Sequence, residues 1–211
     1  MSVEHSTIPA AEALARLKDG NTRYVQNVRS VESMLSHSRR DVTTQSPFAI
    51  VLGCSDSRAP AEIVFDQGLG DLFVIRVAGN IVAPSQVGSV EFAAEAFGTR
   101  LVVVLGHTHC GAIHATLQQL ARPWREQSRN LSSIVDRIRP AVEDLLDGKI
   151  ADVAELEHRA VRANIRMSAD HLRHGSEVLE QLIRKHRLLV VGAEYSVDSG
   201  VVEFFDGVPP D

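Results

Sequence analysis

Two short segments of the sequence contain the residue types that bind soft metal ions. The first, GCSDSR, carries Cys54, Asp56 and Arg58 at alternate positions, and the second, GHTHCGA, carries His107 and Cys110. Zinc accepts sulfur and imidazole nitrogen in a tetrahedral site, and catalytic zinc sites combine three protein ligands with one open position. We therefore interpret Cys54, His107 and Cys110 as candidate zinc ligands.

The residue types leave alternatives open for this group. An H-x-x-C pair is a weak signal by itself, because two buried structural cysteines and a capping histidine would show the same letters. His109 competes with His107 as the nitrogen ligand. We favour His107, because it follows its predicted strand directly, as Cys54 does.

Asp56 and Arg58 also have two interpretations. They can form an ordinary loop ion pair or a helix N-cap, since Ser and Asp favour helix starts. Beside a metal, Asp56 can hold a metal-bound water by a hydrogen bond or bind the metal itself. Arg58 would then orient Asp56 and keep it ionised.

Continuous apolar runs predict the strands that position these residues. PFAIVLGC (47–54), RLVVVLGH (100–107) and LLVVGAEY (188–195) are typical of strands buried on both faces. Sites in open α/β sheets form at the carboxyl ends of the strands, so Cys54 and His107 are expected at one edge. Further strands are predicted at 72–80 and 200–205. Helices are predicted at 9–20, 86–97 and 111–121, twice within 127–174, and at 176–186.

The alternation of strands and helices predicts an α/β fold with a mostly parallel central β-sheet flanked by helices. The sequence shows no linker or long-period repeat, so we expect one domain over residues 1–211. Within it, 1–46 would form an N-terminal helix and arm, and 47–211 the α/β core. Gly20 is predicted to cap the first helix at its C terminus.

Composition limits the classes of function. A net charge of −5 without a basic block argues against nucleic-acid binding. No apolar run approaches the roughly 20 residues that cross a bilayer, and the N-terminal residues lack the pattern of a secretory signal. We therefore expect a cytoplasmic protein without nucleic-acid or membrane partners. In that compartment, two cysteines near histidines fit a metal site better than a disulfide.

Several segments together resemble the β-class carbonic anhydrases. They are GCSDSR, FDQGLGDLFVIRVAGN, VGSVEFA and VVVLGHTHCGA, and the similarity returns at VVGAEYSVDSG. The resemblance covers about residues 47–121 and a short stretch near the C terminus, whereas 122–187 carries no motif that we identify.

The resemblance implies reversible hydration of carbon dioxide to bicarbonate and a proton by a zinc-bound hydroxide. Zinc would be held by Cys54, His107 and Cys110, and the Asp56–Arg58 dyad would assist. In a closed state, Asp56 would displace the water and become a fourth ligand. Because two thiolates cancel the charge of Zn²⁺, we predict a less acidic water than in three-histidine sites, and activity that rises on the alkaline side of neutral.

The resemblance also implies an obligate homodimer, often doubled to a tetramer. The N-terminal helices would pack on the partner subunit, and the active-site cleft would lie at the interface. Gln67, Val87 and Phe92 would line this cleft as substrate-binding residues.

Some family members are held in the closed state by bicarbonate, in a pocket built from a tryptophan, an arginine and a tyrosine. The corresponding positions here are Val51, Arg76 and Tyr195, and the sole tryptophan, Trp124, falls elsewhere. We therefore predict no bicarbonate-locked state of that type.

Two other functions fit the same residues. An enzyme of the same fold that acts on carbon disulfide or carbonyl sulfide would have the same zinc site. A non-catalytic zinc module that stabilises a dimer would not need Asp56 or Arg58, and structural sites more often have a fourth cysteine or histidine.

Overall fold

The structure is a computed structural model that describes residues 8–30, 45–121, 128–146, 148, 150–185 and 187–210. The strands are β1 Ala49–Gly53, β2 Leu72–Arg76, β3 Leu101–His107, β4 Leu189–Tyr195 and β5 Val202–Asp206. The α-helices are α1 Ala10–Val25, α2 Ala61–Val64, α3 Pro84–Ala96, α4 Gly111–Ala121, α5 Arg129–Val142, α6 Val153–His174 and α7 Glu177–Arg184. Short 3₁₀ turns lie at Ala78–Asn80 and Glu143–Leu146.

The five strands form one sheet in the order β2-β1-β3-β4-β5. The pairs among β2, β1, β3 and β4 are parallel, and β5 runs antiparallel to β4. Because β1 and β3 are neighbours, with Gly53 paired to Leu105, their carboxyl ends meet at one edge. The predicted fold class, a mostly parallel sheet flanked by helices, is confirmed.

Every residue of β1 and β3 is buried, because helices cover both faces of the sheet. Side chains alternate between the faces with a period of two. Ile50 and Leu52 pack in a core cluster that includes buried residues of α3 to α7. Ala49 and Val51 face the opposite cluster, which includes the apolar side of α1. The buried residues of α1 in this second cluster are Ala13, Leu14 and Leu17.

Two predicted boundaries are wrong. Gly20 does not end the first helix, which continues to Val25. It is a glycine because a Cβ at this position would overlap the carbonyl oxygen of Phe65. The strand predicted at 72–80 ends at Arg76, and Gly79 (φ 69°) has a left-handed conformation that no extended strand accommodates.

The remaining helices follow the sequence pattern closely. The helix predicted at 111–121 is confirmed as α4, α3 begins two residues before the predicted start, and α7 is shorter than predicted at both ends. The two helices predicted within 127–174 are present as α5 and α6, although positions 127, 147 and 149 lie outside the described residues. The extent of the N-terminal arm and the single-domain organisation stay predictions, because residues 31–44 are also outside. None of the helices described is both long and apolar enough to span a membrane.

Candidate metal centre

Three predicted ligands converge at the carboxyl edge of the sheet. Cys54 follows β1, His107 is the last residue of β3, and Cys110 directly precedes α4. Their sulfur and ring nitrogen atoms all lie within 4.8 Å of one another. All three side chains are buried. The group (the Cys-His-Cys cluster below) can therefore bind a metal ion.

The imidazole of His107 has the orientation of a metal ligand. Its Nδ1 lies 2.8 Å from the carbonyl oxygen of Thr108, to which it donates a hydrogen bond. Its Nε2 is buried and has no hydrogen-bond partner among the described residues. An unpartnered buried polar atom is costly, and a metal ion would satisfy it.

His109 does not join the cluster. Its Nε2 lies 3.0 Å from Oδ2 of Asp198, and its side chain is 59% exposed. Between the two histidines that the sequence left in competition, the fold brings His107 to the two sulfurs.

The two sulfurs are electrostatically coupled. The neighbouring thiol of Cys110 lowers the pKa of Cys54 to about 4. The backbone amide of Gly79 lowers this pKa further. The pKa of Cys110 is raised, first by Cys54 and then by burial. A cation at this position would favour the thiolate form of both cysteines.

Asp56 and Arg58 form a two-pronged ion pair next to the cluster. Nε of Arg58 donates to Oδ1 of Asp56 at 2.9 Å, and Nη2 donates to Oδ2 at 2.8 Å. The hydrogen bonds from Arg58 hold the pKa of Asp56 well below its usual range. Oδ2 of Asp56 also lies 3.9 Å from Nε2 of His107. An ionised carboxylate is thus held close to the cluster and directed by the guanidinium.

Arg76 and Gly79 support the loop that carries Cys54. Arg76 donates from Nε to the carbonyl oxygen of Cys54 at 3.0 Å and from Nη2 to that of Asp56 at 2.5 Å. The amide of Gly79 donates to Sγ of Cys54 at 3.3 Å. Sequence reasoning did not assign these roles. The available signal was the parallel pairing of β1 with β2, which places Arg76 opposite Gly53.

The contacts described for the three predicted cleft residues involve residues outside the Cys-His-Cys cluster. Gln67 is buried; it donates to the carbonyl oxygen of Phe65 at 2.7 Å and accepts from Arg16 at 3.2 Å. Val87 lines a cavity of about 670 Å³ bordered by α3, α5 and α6. Phe92 is 55% exposed. Its ring packs against those of two other phenylalanines, Phe73 and Phe97. Their role in a cleft stays a prediction.

The three positions that the resemblance assigns to a bicarbonate pocket are engaged in contacts within the chain. Val51 is fully buried in the core, and the guanidinium of Arg76 is bonded to the Cys54 loop. The hydroxyls of Tyr195 and Tyr24 lie 3.2 Å apart. Burial and this contact raise the pKa of Tyr195 to about 12. Trp124 lies outside the described residues.

Comparisons with known proteins agree with this geometry. Residues 49–202 match the profile of the carbonic anhydrase family. The chain is 35% identical to carbonic anhydrase 2 of Mycobacterium tuberculosis over 196 residues, a segment that covers 92% of both chains. It is 36% identical over 188 residues to the carbonic anhydrase of Mycolicibacterium smegmatis, which covers 89% of both.

Solved structures show the same fold. The β-carbonic anhydrase CafA of Aspergillus fumigatus superposes with a TM-score of 0.71 and 25% identity, covering 95% of this chain and 92% of that one. Tetrameric β-carbonic anhydrases of Sordaria macrospora match in fold, with a TM-score of 0.67, 24% identity and coverage of 77% and 82%. The chain therefore belongs to the β-carbonic anhydrase family of enzymes.

Proposed function

We propose that this enzyme catalyses the reversible hydration of carbon dioxide to bicarbonate and a proton, with zinc held by Cys54, His107 and Cys110. The observation that carries the proposal is the approach of two sulfurs and one imidazole nitrogen to within 4.8 Å of one another, with Nε2 of His107 buried and without a hydrogen-bond partner among the described residues. Two thiolates and one imidazole fit zinc, and three protein ligands are the number that a catalytic zinc site uses.

The chain's own residues have distinct tasks in this reaction. Zinc, when bound by the cluster, would lower the pKa of a water molecule and so supply hydroxide for the attack on carbon dioxide. Asp56 accepts a hydrogen bond from the attacking oxygen and thereby orients it towards the substrate. Arg58 holds both carboxylate oxygens and thereby competes with the metal for Asp56. The carbonyl of Thr108 fixes the ring of His107.

The cluster charge predicts the direction of the pH dependence. Two thiolates neutralise Zn²⁺, whereas three imidazoles leave its charge unchanged, so this site acidifies water less than a three-histidine site does. We expect kcat to rise from about pH 7 towards about pH 9. A flat profile between about pH 6 and about pH 9 would contradict this account.

The decisive experiment is stopped-flow hydration of carbon dioxide by zinc-loaded and chelator-treated enzyme. We expect activity only in the loaded form, and a kcat/KM about 10- to 100-fold lower in Asp56→Ala. Asp170→Ala is the matched control, because Asp170 is an exposed acid on α6 that pairs with His174.

The same assay separates the competing functions. A non-catalytic zinc module would show no hydration by the loaded enzyme, and Asp56→Ala would change only its stability. Hydrolysis of carbonyl sulfide or carbon disulfide without hydration of carbon dioxide would assign the sulfur-compound activity instead.

We also propose that the enzyme is a cytoplasmic homodimer or dimer of dimers in which the N-terminal helix packs on a partner subunit. Exposed apolar side chains at the end of α1 support this assembly, since Val25 is 39% and Val28 is 54% exposed. Ile63, 43% exposed, borders the same small cavity as Val28. The unpaired cysteines fit a reducing compartment. A monomer in size-exclusion chromatography with light scattering would contradict the assembly.

Bicarbonate is not expected to close the site. The absence of tryptophan at position 51 and the contacts of Arg76 and Tyr195 leave no pocket of the type used by regulated relatives. In a crystal grown with high bicarbonate, we expect Asp56 to remain on Arg58. An anion beside Arg76 together with Asp56 bound to the metal would overturn this prediction.

A further inference from the structure

The short turn Ala78–Asn80 carries the hydrogen bond that reaches the Cys54 sulfur. The donor is the amide of Gly79, which lies 3.3 Å from Sγ. Gly79 has a φ of 69°, and a Cβ added to it would lie 2.9 Å from Cδ1 of Ile138 and 3.1 Å from Cβ of Ala112. The turn is thus enclosed, and the direction of its amide depends on how its backbone is held.

Two side chains on one face of α6 hold this turn. Nδ2 of Asn164 donates to the carbonyl oxygen of Gly79 at 2.8 Å. The hydroxyl of Ser168, one helical turn later, donates to the carbonyl oxygen of Asn80 at 3.1 Å. Positions i and i+4 lie on the same side of a helix, so this pair grips two consecutive carbonyls.

Burial makes these bonds important for the turn. Asn164 is 1% exposed and Asn80 2%, so water does not readily replace a missing partner there. Ser168 is 4% exposed but lines the cavity beside Val87, so its loss should matter less. The last carbonyls of a short helical turn lack partners within the turn itself. Removal of the donor from α6 would leave a buried carbonyl unsatisfied and allow the turn to move.

We propose that Asn164 and Ser168 are positioning residues of the metal centre, which hold the Gly79 amide directed at the sulfur of Cys54. The inference rests on the proposed function, in which Cys54 is a zinc ligand. An N–H···S bond draws electron density from a thiolate and fixes its orientation, as outer contacts of metal ligands generally do. The helical region thereby sets how strongly Cys54 donates to the metal.

The test measures the metal site directly in Asn164→Ala, Asn164→Leu and Ser168→Ala. Asn164→Leu keeps the branched shape of the asparagine side chain but has neither its amide donor nor its carbonyl acceptor. Without the N–H···S bond, Cys54 becomes a stronger donor, so the thiolate-to-metal charge-transfer band of the cobalt(II)-substituted enzyme should move to lower energy. Because the sulfur is also no longer held in position for the metal, and this loss should outweigh its stronger donation, we expect about 10-fold weaker zinc binding in both Asn164 variants, measured by competition with a chromophoric chelator. Ser168→Ala should show a smaller change in the same direction.

Leu179→Ala is the control, because Leu179 is a fully buried residue of α7 whose loss should lower stability without touching the turn. An unshifted cobalt band and unchanged zinc affinity in both Asn164 variants would overturn the inference and leave the proposed function intact. So would the same spectral shift in Leu179→Ala. A wild-type enzyme with no cobalt-thiolate band would overturn the proposed function and this inference with it.

Discussion

The strand-end region, residues 49–110, and the helical region, residues 128–174, contribute to the metal centre in different ways. The first carries the cluster and the Asp56–Arg58 pair within recognisable motifs. The second carries no motif, yet two of its buried polar side chains bond the backbone turn beside Cys54. A metal ligand must be one of a few residue types, so a sequence motif can identify it. A side chain that only donates to a backbone carbonyl can be any of several polar residues, and its position depends on the fold, so no short motif identifies it.

Within the helical region, the two sides of α6 also differ. The inner side contacts the turn through Asn164 and Ser168. On the side towards β5, called the outer side below, Arg162 forms two hydrogen bonds with Glu203, at 2.8 and 2.9 Å, and one with the buried Glu194 at 3.2 Å. These differences between regions predict three sizes of effect on the metal site. Substitutions should affect it strongly in the strand-end region, moderately at the Ala78–Asn80 turn, and not at all on the outer side of α6.

The largest effect is expected for His107→Ala. Loss of a ligand should abolish stoichiometric zinc binding and lower kcat/KM more than about 100-fold, because even outer contacts contribute 10- to 100-fold. Metal analysis after dialysis and stopped-flow assays measure both. His109→Ala is the matched control and should retain its zinc. Loss of zinc from His109→Ala but not from His107→Ala would reverse the assignment.

A smaller effect is expected for Arg58→Lys. Lysine keeps the positive charge but cannot bind both oxygens of Asp56 in a planar fork. We expect kcat to fall about 10-fold or more with zinc content unchanged, because Asp56 loses its fixed orientation. Separate measurement of kcat, KM and bound zinc makes the distinction. A wild-type kcat in this variant would show that a positive charge at position 58 is enough to orient Asp56, without the planar fork of arginine.

Gly79→Ala tests the turn itself. The added Cβ would approach Ile138 and Ala112, and a left-handed conformation costs a non-glycine residue about 1–2 kcal/mol. We expect a loss of stability of at least that size in urea unfolding and about 10-fold weaker zinc binding. Gly148→Ala is the control, because Gly148 also has a positive φ, but an added Cβ there would meet no atom of the described residues within 4 Å. Equal zinc affinities in the two variants would contradict a role for the turn.

The smallest effect is expected for Glu203→Gln. Hydrogen bonds from Arg162 hold the pKa of Glu203 below its usual range. A depressed folded-state pKa means that the ion pair stabilises the fold above the unfolded pKa and that this stability is lost as pH falls through the folded pKa. Glu203 is 62% exposed, so the difference in unfolding free energy should be under about 1 kcal/mol at about pH 7 and vanish at lower pH. Changed zinc affinity or hydration rate would show that the outer side of α6 also reaches the site.

The sequence predicted most of the sheet, because each buried strand is a continuous apolar run. It also placed three candidate ligands at one edge, since parallel neighbouring strands end together. It failed at Gly20, where a glycine that resembles a helix end lies inside a helix against the carbonyl of Phe65. It also failed at Gly79, where a positive φ ends β2 early. Gly20 marks a close approach to another backbone segment, and Gly79 marks a turn. Local sequence does not distinguish these two roles of glycine from a helix end or a strand interior.

The sequence by itself determined the residue types and the short-range geometry of the site. Asp56 and Arg58 are two positions apart and His107 and Cys110 are three, so each pair is close in any fold that keeps its loop. Only the tertiary structure decided how the Cys54 loop is held. Asn164 bonds a residue 85 positions away, and that contact depends on the rotation of α6 against the sheet. Helix rotation follows from the packing of many apolar side chains at once, so no single segment encodes it.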